Sequence, residues 1–123
     1  MFRKLKWVVQ ALASAAPDQV KLFPGFVNVA DELALIWEDV LNDLDNLARE
    51  LPKSVILSVN KLDDKILSIS GSGNAQLWTE AALYESSHWE DIRALAKAVA
   101  EEMNWSISSP STADGVYVGP PEC

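Results

Sequence analysis

"SVILSVNKLDDKILSISG", residues 54–71, decides the fold class of this 123-residue chain. Two periodicities compete within it. Read with period two, Val-Ile-Leu-Ser-Val and Lys-Ile-Leu-Ser-Ile are short strands folded back on each other around Asn-Lys-Leu-Asp-Asp. Read with period 3.6, Val55, Val59, Leu62, Ile66 and Ile69 follow one another at spacings of 4, 3, 4 and 3, which is one helical face. Ser54 stands where an N-cap belongs, and Gly71 where a chain leaves a helix. The caps and the unbroken stripe favour the helix, with the hairpin as its competitor.

Upstream, residues 26–50 read FVNVADELALIWEDVLNDLDNLARE, with seven acidic residues against Arg49 alone. Asn28 can cap a helix by accepting from its orphan N–H groups. Asp31 and Glu32 then sit in the first turn, where negative charge suits the macrodipole. At about 100° per residue, Leu33, Ile36, Trp37, Val40, Leu44 and Leu47 form one core stripe. Acidic rows flank it, one with Asp31, Glu38 and Asp45, the other with Glu32, Asp39, Asp43 and Glu50. Leu35 falls between the acids, on the side away from the stripe.

Further upstream, "MFRKLKWVVQALASAAP" admits two readings. Its basic start, apolar middle and Ala-Ser-Ala resemble a secretory signal. Its apolar run is short and broken by Gln10, and Leu5, Val8, Val9 and Leu12 recur at helical spacing, so a retained helix from Phe2 to about Ala16, stopped by Pro17, is favoured. "PDQVKLFPGF" then reads as a connector with a Pro24-Gly25 turn, its Leu22, Phe23 and Phe26 available to the core.

Downstream, "GSGNAQ" reads as a flexible loop and "NAQLWTEAALYES" as a short helix capped by Asn74. "SSHWEDIRALAKAVAEEMNW" carries Ser87 with Glu90 three residues on, a capping box. Trp89, Ile92, Leu95, Ala96, Val99 and Met103 line one face of that helix, and Glu90, Arg93, Lys97 and Glu101 the other. From Ser106 onward Ser, Pro, Gly and Thr dominate. This stretch is either an extended strip, packing through Ile107, Val116, Tyr117 and Val118, or a disordered end. The expected architecture is a small all-α bundle of four to five helices over residues 1–105, with an irregular C-terminal tail over 106–123.

A formal net charge of −8 argues against nucleic acid as a ligand, because phosphates demand a cationic surface, and favours a cationic partner. The single cysteine, Cys123, allows neither an intrachain disulfide nor a thiolate zinc site. His88, the one histidine, has no apparent nucleophile beside it, so a surface or capping role outweighs a catalytic one. It also lacks the Glu-x-x-His pairing of a carboxylate-bridged metal pair. "SGSGNA" lacks the pattern of a phosphate or dinucleotide loop. No cofactor, metal, membrane span or enzymatic activity is expected. What remains is surface: Glu38, Asp39, Asp43 and Asp45 as an anionic face, with Leu35 as its apolar anchor. The plain alternative is a solvated acidic face.

The segments "FVNVADELAL", "LWTEAAL" and "HWEDIRALAKAV", in this order, resemble contact-dependent growth-inhibition immunity proteins, over roughly residues 20–105. The resemblance implies a cytoplasmic, non-enzymatic protein that binds and blocks a cognate toxin domain, often a cationic nuclease. A second reading is a helical adaptor or homo-oligomeric structural protein, its five Trp marking an interface. Under the first reading the chain is a monomer or a weak oligomer.

Overall fold

In the computed structural model, residues 3–107 are described except Pro24 and Phe26, with the backbone alone at 45–48 and at Ser72. Six α-helices occupy these residues: α1 Arg3–Ala13, α2 Ala16–Lys21, α3 Val29–Leu47, α4 Lys53–Ser68, α5 Glu80–Glu85 and α6 Ser87–Glu102. Short 3₁₀ turns lie over Ala48–Glu50 and Ser72–Leu77. There is no strand among the described residues. The four long helices make the bundle. α1 packs on α3 and α6, and α6 on α4. α2 and α5 pack on each other at one end. No helix among the described residues is long and apolar enough to cross a membrane.

The contested segment is helix. Val55, Val59, Leu62, Ile66 and, just beyond the helix, Ile69 are all buried. Leu57 and Leu67, which a strand would place on one face with Val55 and Val59 and with Ile69, stand 62% and 61% exposed. The 4-3-4-3 stripe therefore faces the core along its whole length, as one side of a helix must. The helix begins two residues earlier than the Ser54 cap would place it. Pro52 is the N-cap, and its carbonyl accepts from Val55 N–H and Ile56 N–H at 3.1 Å each. Gly71 adopts φ +107°, so the turn out of α4 uses the freedom only glycine has there.

α1 is buried on every side beyond Lys6 rather than along one stripe. Trp7, Val8, Val9, Ala11 and Leu12 are all buried, and so is Gln10. Only Arg3, Lys4 and Lys6 reach solvent, at the end where cations oppose the macrodipole. The break comes at Ser14–Ala15, before Pro17, and "PDQVK" is helix α2 rather than connector. Proline costs nothing in a first helical turn, because the N–H it lacks would have no partner there. Pro17 thus opens a helix where the sequence reading had it close one. Leu22 and Phe23 are buried as expected, while Phe26 lies outside the described residues.

Polar side chains tie the elements together. Gln19, fully buried on α2, donates through Nε2 to the Ala11 and Leu12 carbonyls at 3.0 and 3.2 Å. It thereby caps the C-terminal turn of α1, whose last carbonyls have no helical partner. Arg93 of α6 donates to the Leu83 carbonyl at 3.1 Å and to Gln19 Oε1 at 3.5 Å. Burial pushes the Arg93 guanidinium below its ordinary value, with Glu90 pulling the other way. Trp37 Nε1 donates to Asp63 Oδ1 at 3.1 Å, joining α3 to α4. Ser58 of α4 donates to Glu102 of α6.

Two caps differ from the sequence reading. Thr79, not Asn74, caps α5, accepting from Ala82 N–H at 3.1 Å. Ser86, not Ser87, caps α6, accepting from His88 N–H at 3.1 Å. Ser87 is the first helical residue, so the capping box does not form in the expected frame. The exit of α6 is a Schellman turn. Asn104 takes φ +59°, its N–H reaches Glu101 O at 3.2 Å, and Trp105 N–H reaches Ala100 O at 2.8 Å. Ser106 then meets Gln10 Nε2 through its carbonyl at 3.1 Å and its hydroxyl at 3.3 Å. The tail beyond Ile107 lies outside the described residues.

Candidate functional site

α3 sets the geometry of the outward surface. Leu33, Trp37, Val40 and Leu44 are buried and Ile36 is half-buried, which fixes the rotation of the helix. Leu35 is consequently turned outward and stands 58% exposed. Asp31, Glu38, Asp39 and Asp43 are exposed around it. None of these four carboxylates forms an ion pair among the described residues. The ion pair seen there is Lys65 with Asp91, at 3.3 Å. The side chain of Asp45, the fifth expected member, lies outside the described residues, as does that of Leu47. Glu50 falls in the 3₁₀ turn after α3, where the 100° step no longer holds, so it leaves its expected row.

The structure adds an opposite wall. A groove of about 640 Å³ runs along the N-terminal half of α3, past Asn28, Asp31, Ala34, Leu35 and Glu38. Ser70, Gly71, Ala75 and Trp78, from the connection between α4 and α5, face them. The "GSGNAQ" segment is therefore not a loose loop. It winds through 3₁₀ turns kinked at Asn74, whose Nδ2 donates to the Ser70 carbonyl at 3.1 Å.

Trp78 and Asn28 hold the two walls together. Asn28 Oδ1 accepts from Asp31 N–H at 3.2 Å, capping α3 as its sequence position suggested. Its Nδ2 donates to the Trp78 carbonyl at 2.8 Å. Trp78 Nε1 donates to the Ile69 carbonyl at 2.8 Å, and its ring stands edge-on to Trp89 with centroids 5.5 Å apart. Trp89 Nε1 in turn donates to the Leu77 carbonyl at 2.8 Å. Each indole satisfies its one N–H inside the chain, Trp89 buried and Trp78 half-buried.

Of the sequence-derived site residues, Leu35 and Glu38 line the groove, while Asp39 and Asp43 stand on the far side of Leu35. The sequence marks Asn28 only as a cap and carries no mark of the Trp78 wall. The two walls are about 40 residues apart in sequence, and no local pattern could have joined them. His88 is half-buried on α6, and its Nδ1 accepts from Lys65 Nζ at 2.8 Å. Lys65 thus spans His88 and Asp91, an arrangement that ties α4 to α6. Among the described residues no three His, Cys, Asp or Glu side chains converge as metal ligands would.

Comparison with known proteins gave no matching family model, no matching curated protein and no matching solved structure.

Proposed function

We propose that the chain is an immunity protein that acts in the cytoplasm. It neutralises a cognate toxin, a cationic nuclease domain, by direct binding through the outer face of α3. The observation that carries this reading is Leu35, an apolar side chain 58% exposed among carboxylates that have no ion-pair partner among the described residues. A solvated face needs no exposed leucine at its centre, whereas a protein contact uses an apolar anchor within a polar rim. A nuclease must present cations to phosphate, and an inhibitor can cover them with Asp and Glu held on a rigid helix. Complementary charge then brings association towards roughly 10⁸–10⁹ M⁻¹s⁻¹ at low salt. The resemblance of three segments to immunity proteins points the same way.

The second reading is a helical adaptor or homo-oligomer with a Trp-marked interface; Trp7, Trp37 and Trp89 are buried within one chain, which leaves half-buried Trp78 and Trp105 for such a surface.

The test asks first whether the gene beside this one encodes a toxin domain, and then pairs that domain with this chain. Co-expression should restore growth, and the purified chain should inhibit the domain at equimolar ratio. Asp39→Lys with Asp43→Lys should slow association several-fold in low-salt stopped flow and leave the thermal midpoint within about 2 °C, as both side chains are exposed. Absence of inhibition, or on-rates equal for variant and parent, overturns the reading.

A further inference from the structure

The geometry points to a second copy of this chain as an occupant of the α3 groove, seated through the outer face of α4. Self-association follows from complementary surfaces on one molecule; it uses Leu35 and Glu38 of the face assigned above to the toxin, so the two contacts exclude each other.

On the groove, Asp31, Leu35 and Glu38 occupy successive turns of α3. The two carboxylates lie seven residues apart, roughly 10 Å along the axis, with the leucine between them. On α4, Lys53, Leu57 and Lys61 repeat the same design with opposite charge. The lysines lie eight residues apart, roughly 12 Å, with Leu57 one turn from each. All three are exposed, Leu57 by 62%, and neither lysine is ion-paired among the described residues. Flexible lysine stems absorb the small difference in spacing. Leu57 of one copy would enter between Leu35 and Trp78 of the other, and each lysine would meet a carboxylate. The other basic cluster cannot do this. At Arg3, Lys4 and Lys6 the intervening apolar residues, Leu5 and Trp7, are buried in α1.

The groove and the α4 ridge are different surfaces, so the contact is head-to-tail. Such a contact does not close on two copies and adds further ones as concentration rises. One helix against one groove buries little area, which places the association in the weak range, with a dissociation constant on the order of 0.1 mM. A net charge of −8 opposes it at low salt, and screening at physiological salt relieves that repulsion.

Sedimentation velocity on the full chain at physiological salt tests the proposal. The parent's weight-average sedimentation coefficient should rise with concentration up to about 1 mM. Glu38→Lys and Lys61→Glu should each remain monomeric. Their equimolar mixture should associate again, because the reversed groove of one meets the reversed ridge of the other. Leu57→Gln, at an exposed position that cannot unsettle the core, should also remain monomeric. A parent that stays monomeric throughout overturns the proposal. So do variants that associate like the parent, or a mixture that stays monomeric.

Discussion

Replacing Asn28 with alanine and, separately, with aspartate divides two jobs that one exposed side chain performs. Its oxygen caps α3 and its nitrogen holds the Trp78 carbonyl at 2.8 Å. Losing an N-cap acceptor costs about 1 kcal/mol. Losing the bridge removes one hydrogen bond, which in this exposed setting contributes only about 0.5 kcal/mol. Asn28→Ala should therefore destabilise the chain by about 1.5 kcal/mol, a fall of roughly 6 °C in the melting midpoint for a domain of this size. Asn28→Asp keeps the acceptor and adds a carboxylate at the positive end of the helix, a gain of about 0.5 kcal/mol, while still losing the donor to Trp78. It should melt within about 2 °C of the parent. Thermal denaturation followed by circular dichroism ranks the three proteins. Hydrogen exchange at the Trp78 indole reads the bridge separately and should quicken in both variants, because both free the turn that carries the ring. Equal midpoints for the two variants would refute the cap argument. Unchanged indole exchange in both would refute the claim that Asn28 holds the groove's walls together.

Other perturbations reach the core and the helix ends. Leu62→Ala, at a fully buried site in the centre of the α4 stripe, should cost about 2–5 kcal/mol in urea denaturation, whereas Leu57→Ala on the exposed side of the same helix should cost less than about 0.5. Gln19→Leu keeps the volume but leaves the Ala11 and Leu12 carbonyls without their donor, and should cost about 2 kcal/mol in the same assay. Asn104→Gly relieves the left-handed residue of the Schellman turn and should hold or slightly raise the melting midpoint. Asn104→Val, β-branched at φ +59°, should lower it by the equivalent of about 1–2 kcal/mol.

The all-α class and most of the core were legible in the sequence because helical burial is a local rule. A residue's angle around its helix follows from its number, so Val55, Val59, Leu62 and Ile66, and likewise Leu33, Trp37, Val40 and Leu44, mark themselves as inward-facing. The same arithmetic turned Leu35 outward among acids. Caps were legible only to within a residue or so. Ser86 and Ser87 are chemically equivalent, and which one stops being helical depends on how α5 meets α6. Pro17 opens a helix instead of closing one because proline marks a boundary without saying on which side the helix lies.

Tertiary structure alone buried α1 on every side beyond Lys6, since that depends on what packs around the helix. It also turned Gln19 inward as a cap for a helix other than its own, and it brought Trp78 across from α3 to make a groove out of a face. These are contacts between positions distant in sequence. Periodicity says which way a side chain points, but only the packed bundle decides what it meets there.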